Sequence, residues 1–113
     1  MFLDTRKKIV GREELELRLD DRPVRWIAGH FDPLLAEHVR WLAEERHPGT
    51  ALVVEVTNPP QPLLAQRARA ELVAALSMVD FVILGARKPA LDAAISERFV
   101  AQVLRRHQQE QAH

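Results

Sequence analysis

Gly29-His30-Phe31-Asp32-Pro33-Leu34-Leu35-Ala36-Glu37-His38 decides the fold of this chain. A short run rich in Val, Trp and Ile, Val24 to Ala28, precedes it and predicts a strand. Gly29 to Pro33 predicts a tight loop, in which a glycine lets backbone approach a ligand closely. Ala36 to Arg46 then predicts a helix, with Leu35, His38, Val39 and Leu42 along one face. A helix that starts just after a strand aims its N-terminal N–H groups, and the positive end of its dipole, at whatever lies in the loop.

The pattern repeats outward from this unit. His47-Pro48-Gly49 ends the helix, since neither Pro nor Gly continues one well. Ala51 to Val56 is the clearest strand of the chain. Thr57 to Pro62 is a Pro-rich loop that does not extend it. Leu64 to Met78 predicts a second helix, with Leu64, Ala68, Leu72, Ala75 and Val79 at helical spacing. Phe81 to Leu84 is a third strand, Gly85 to Pro89 a turn, and Leu91 to His107 a last helix with Ile95, Phe99 and Val103 spaced by four. Upstream, Met1 to Val10 reads as a loose lead-in. Gly11 to Leu19 reads as a short helix, stopped by Asp20, Asp21 and Pro23. Strands alternating with helices imply parallel strands joined by right-handed crossovers. The expected fold is α/β: a Rossmann-like, three-layer α/β/α domain over 1–113 with a short parallel sheet, half of a doubly wound sheet. Ligands of such sheets sit beyond the carboxyl ends of the strands. That places the site at Gly29 to Pro33, Thr57 to Asn58 and Gly85 to Arg87.

Composition bounds the function. The 113 residues suit one domain. Sixteen Lys and Arg balance sixteen Asp and Glu, so bulk electrostatic attraction to nucleic acid or an anionic membrane is not expected. No cysteine is present, which excludes disulfides, zinc–thiolate sites and thiol chemistry, and a cytoplasmic location is the expectation. The first ten residues are too short and charged for a signal peptide, and no apolar run reaches membrane-spanning length.

Gly29, Phe31, Asp32 and His38 resemble the signature of the cytidylyltransferase-like nucleotidyltransferases, a Gly-x-Phe-Asp stretch leading into His-x-Gly-His (the HIGH type). Lys8-Ile9-Val10 and Arg12-Glu13-Glu14-Leu15 resemble the short helix before the first strand in the sugar-phosphate and glycerol-phosphate branch. Arg69-Ala70-Glu71-Leu72-Val73-Ala74-Ala75-Leu76 and Val79-Asp80-Phe81-Val82 resemble that family's Arg-containing helix and Val-Asp strand entry. The resemblance implies CTP or ATP as partner, Mg²⁺ if the protein is active, and frequent homodimers. It implies His38 as the catalytic residue and Gly29, His30, Phe31, Asp32, Arg69 and Ser96 as nucleotide contacts.

The departures bear on catalysis. The first histidine of the motif falls on Leu35 and its glycine on Glu37. Leucine offers no donor to a phosphoryl group, whose transfer is catalysed by positioning and charge stabilisation. A carboxylate at 37 repels phosphate. The hydroxyl-rich helix start that contacts phosphate in the family is reduced to Ser96 in Ile95-Ser96-Glu97-Arg98.

Each residue also has a plainer reading. His38 serves equally as a helix residue facing the sheet, His30 as an exposed loop side chain, Asp32 as a helix cap and Arg69 as an exposed helix residue. Arg87 and Lys88 suit a solvated turn as well as a phosphate. Trp26 and Trp41 suit core or interface, and Arg105-Arg106-His107 a helix C-terminus. His30 and His38 lack a third ligand and a metal spacing, so no metal site is expected. Three functions follow: a nucleotidyltransferase-like domain with a degraded motif that binds nucleotide weakly or acts as a non-catalytic regulatory or interaction module, which ranks first; an active cytidylyl- or adenylyltransferase using His30, Asp32, His38 and Arg69 on a phosphorylated small molecule; and a structural homodimer.

Overall fold

A computed structural model describes residues 4–85. Three parallel strands, β1 (Val24–Gly29), β2 (Ala51–Val56) and β3 (Phe81–Leu84), lie side by side in the order β1-β2-β3. They alternate with the helices α1 (Arg12–Leu19), α2 (Ala36–Glu44) and α3 (Gln66–Ala74), so the fold is Rossmann-like α/β. The expected β1-α-β-α-β order holds, with each strand within a residue of its predicted bounds. The predicted turn beyond Gly85 and the helix Leu91 to His107, with Ser96, Arg87 and Lys88, lie outside the described residues.

Register explains the layering. Ile27, Val54 and Val82 are neighbours across the sheet, and with Leu52 and Val56 they face Leu42 of α2 and Ala70, Val73 and Ala74 of α3. Trp26, Val53 and Phe81 are neighbours on the opposite face, packed with Leu15 and Leu19 of α1. Every residue of β2 is buried, as a central parallel strand between two covered faces requires. Trp26 and Trp41 both pack against these clusters, as core or interface residues.

Three expectations need correction. The lead-in is not loose: Thr5–Lys8 form a 3-10 turn, Ile9 bridges Val82 in parallel, and the Val10 N–H donates to Val82 O at 3.0 Å. Lys8 Nζ donates to Leu76 O at 3.0 Å, and burial lowers its pKa from the usual lysine value. The segment edges β3 because an exposed strand edge needs partners for its N–H and C=O groups.

The second correction is α3. It runs nine residues rather than from Leu64 to Met78. Asp32 accepts the Leu63 and Leu64 N–H groups, holding them outside the helix, while Leu76 and Val79 close tight turns after it. The buried face is also different. Of the expected face, Leu64, Ala68, Leu72 and Ala75 are exposed and Val79, beyond the helix, is buried, whereas within the helix Arg69, Ala70, Val73 and Ala74 are buried. Spacing by four fitted two faces of this Ala-rich helix, and the long apolar residues drew the expectation to the wrong one.

The third is α2, which ends at Glu44, before His47-Pro48-Gly49. Arg46, just beyond it, pairs with Asp80 at 2.7 Å, and Asp80 also accepts the Leu52 N–H at 2.8 Å. Asp80 thereby ties the exit of α2 to the entries of β2 and β3.

Candidate functional site

The carboxyl ends of β1 and β2 bring the predicted residues together. Gly29 is buried at the last position of β1. Phe31 follows with φ of +49°, a left-handed conformation that a bulky residue rarely adopts. Its ring compensates by complete burial, edge-on to His38 at 5.3 Å and stacked with Trp41 at 6.3 Å between centroids. Phe31 thus reaches a ligand only through its backbone. The sharp bend it makes turns the chain from β1 into α2.

His38 is the third residue of α2 and only 1% exposed. Its Nδ1 accepts the Leu35 N–H at 3.0 Å, so the imidazole reaches back to cap its own helix. Leu35, at the N-cap, has no side-chain acceptor for the first-turn N–H groups, and Glu37 sits half-buried in that turn. A carboxylate there complements the helix dipole and competes with any ligand anion for it.

Asp32 is not the helix cap. Its carboxylate accepts the Leu63 N–H at 2.6 Å and the Leu64 N–H at 2.9 Å, fastening the loop ahead of α3 to the loop after β1. Arg69 stands beside it, with Nε 3.9 Å from Asp32 Oδ1. Arg69 is not an exposed helix residue either, being fully buried. Nε donates to Leu64 O at 3.0 Å, Nη1 to His30 O at 2.8 Å and to Thr57 O at 2.6 Å, and Nη2 to Asn58 Oδ1. The planar guanidinium fork serves acceptors at both ends of the β2–α3 loop and on the loop after β1, a geometry lysine cannot reproduce.

His30 is half-buried at the mouth of this arrangement. Its Nδ1 lies 2.8 Å from Thr57 Oγ1, linking the ends of β1 and β2 through side chains. Gln66 completes the edge. Its Nε2 donates to Val56 O at 2.9 Å and Gly85 O at 3.0 Å, linking the ends of β2 and β3. Sequence reasoning missed Gln66; its place three residues before Arg69, on the same face of α3, was the available signal.

Glu55 was also missed. It is buried on the α1 face, accepting Trp26 Nε1–H at 3.0 Å, with Arg12 at 3.6 Å. Gly85 makes room for it: a Cβ there would lie 2.2 Å from Glu55 Cγ. A cavity of about 450 Å³ lies elsewhere, along the lead-in and the outer side of β3, lined by Val10, Gly11, Arg12, Arg67 and Leu84. Among the described residues no group of three His, Asp or Glu side chains is placed to hold a metal. Asp32, the carboxylate nearest the mouth, is occupied by backbone donors. The described residues alone therefore do not build a Mg²⁺ site.

Parallel strands, a sharp strand-to-helix bend and polar groups gathered at one sheet edge define a Rossmann-like α/β domain with a candidate ligand site at its carboxyl end. No family model matches the chain. It is 33% identical over 82 residues to the bifunctional protein HldE of Syntrophotalea carbinolica, covering 64% of this chain and 17% of that protein. It is 36% identical over 66 residues to the FAD synthase of Methanosarcina barkeri, covering 53% of this chain and 48% of that protein. The chain thus spans less than half the length of either relative. Both contain cytidylyltransferase-like nucleotidyltransferase domains, and this chain is distantly related to them. No helix among the described residues is long and apolar enough to cross a membrane.

Proposed function

We propose that the chain is a cytidylyltransferase-like nucleotide-binding domain that holds CTP or ATP weakly, does not carry out efficient transfer, and works as a regulatory or interaction module. The state of His38 carries this reading. The surviving histidine of the motif is buried and caps its own helix through Nδ1. Leu35 and Glu37 stand where the resembled motif has its other histidine and its glycine. Arg69 supports the reading too, because its guanidinium is engaged by loop acceptors. The similarity to an FAD synthase favours a nucleotide over other anions. Nucleotide contacts would come from Gly29 and His30, with Phe31, Asp32 and Arg69 shaping the cleft.

Calorimetric titration with CTP and with ATP, each with Mg²⁺, tests this. The expected result is micromolar or weaker binding of one nucleotide, with background turnover when phosphorylated sugars or glycerol phosphate are added. Turnover at ordinary enzyme rates, about 1 s⁻¹ or more, would instead establish the active transferase, with His38 stabilising the transferring phosphate.

A structural role in a homodimer has its own support. Leu63, Leu64 and Leu72, 77%, 38% and 47% exposed, lie together on the outer side of α3 and its lead-in, apolar side chains that a second copy would cover. Light scattering at micromolar concentration is expected to give twice the 12.9 kDa chain mass. A monomer mass would overturn the dimer and leave the nucleotide reading untouched.

A further inference from the structure

We propose that the exposed side of α3 is a self-association face, on which a second copy of this chain lays its own α3 antiparallel about a two-fold axis. The inference rests on the homodimer reading and names the surface and the register that reading leaves open. Ala68, Leu72 and Ala75 recur four and three residues apart, so they share one side of α3, and Leu64 extends that stripe ahead of the helix. All four are exposed, opposite the buried Arg69, Ala70 and Val73. The start of the stripe is held in place. Asp32 accepts the Leu63 and Leu64 N–H groups and Arg69 donates to Leu64 O, so the backbone ahead of α3 is fixed while both leucine side chains stay exposed. An apolar surface that is already ordered loses little freedom when it is covered.

The flank of the stripe identifies the occupant. Arg67 and Glu71 stand one turn apart along it, both with exposed side chains, and Arg67 Nε lies 3.6 Å from Glu71 Oε1, too far for a good hydrogen bond. A flank with one charge of each sign is complementary to itself reversed, unlike a face built for a uniformly acidic or basic partner. An antiparallel two-fold crossing between Ala68 and Leu72 turns Arg67 of each copy toward Glu71 of the other. The same crossing sets Ala68 of one copy against Leu72 of the other, small against large, on both sides of the axis, which lets the two helices interdigitate. The opposed helix dipoles add to the pairing. Such a contact is isologous and closes at two copies.

Sedimentation equilibrium of the full chain over a range of concentrations tests this. Leu72→Glu is expected to weaken the dimer about a hundredfold, because the axis brings in two copies of the change. Arg67→Glu and Glu71→Arg each set like charges across the axis, and each is expected to weaken it about tenfold. Mixing these two charge variants puts a positive flank opposite a negative one again, so the mixture is expected to recover the parent's affinity. Rescue also shows that both variants are folded. A dimer that tolerates Leu72→Glu, or charge variants whose mixture associates no better than either alone, overturns this face and leaves dimerisation to another surface. A parent chain that stays monomeric throughout overturns the homodimer reading and this inference together, with the stripe left to a different protein or to the chain's own residues beyond Gly85.

Discussion

Replacing Arg69 with leucine is expected to destabilise the domain by about 4 kcal/mol, lowering Tm by more than about 10 °C. The change leaves the carbonyls of His30, Thr57 and Leu64 without their donor, in a place where the guanidinium is fully buried. Each buried acceptor stripped of its partner costs about 1–3 kcal/mol. Asp32 also loses the cation 3.9 Å away, leaving its carboxylate to the Leu63 and Leu64 N–H groups alone. Arg69→Lys is expected to fall between, because an ammonium keeps the charge but cannot reach all of these acceptors on the two loops. Differential scanning calorimetry of the three proteins measures this. A leucine variant melting within about 2 °C of the parent would mean that the loops hold their places without Arg69.

The second large effect concerns ligand affinity. Leu35→His with Glu37→Gly restores the residues of the resembled motif at the start of α2. CTP or ATP is expected to bind roughly 30-fold more tightly, about 2 kcal/mol, in the double variant. One part comes from a new donor at the helix N-cap, the other from removing a carboxylate that opposes phosphate. Glycine in the first turn lowers helix stability by up to about 1 kcal/mol, so melting is measured alongside. Glu37→Gln alone is expected to give a smaller gain, since it removes charge without adding a donor. Unchanged affinity in the double variant would move the phosphate site away from α2.

The sheet was legible in the sequence because its signals are local. The run Ala51 to Val56 has the β-branched density of a central strand, and Phe81 to Leu84 follows a helix closely enough to imply a parallel return. The elements around the site were legible too, since Gly29 to His38 bends from strand into helix within a few residues. What escaped was everything set by distant partners. Arg69 looked like a solvated helix residue, and only the convergence of three loop carbonyls on one helix face makes it a core residue. Asp32 looked like a cap because it precedes a helix, yet its hydrogen bonds run to a loop some thirty residues on. Ile9 and Val10 carry too short an apolar signal to announce that they pair with a strand at the far end of the sheet.

That last pairing shapes how the domain is made. Residues 8–10 find their partners at Leu76 and Val82, so a segment synthesised before the sheet waits for some of the latest described residues. During synthesis at about 5–20 residues per second, the lead-in spends several seconds without the edge it will occupy. The seam between this segment and β3 thus joins residues 68 apart in sequence at Lys8–Leu76, a long-separation contact of the kind that slows folding.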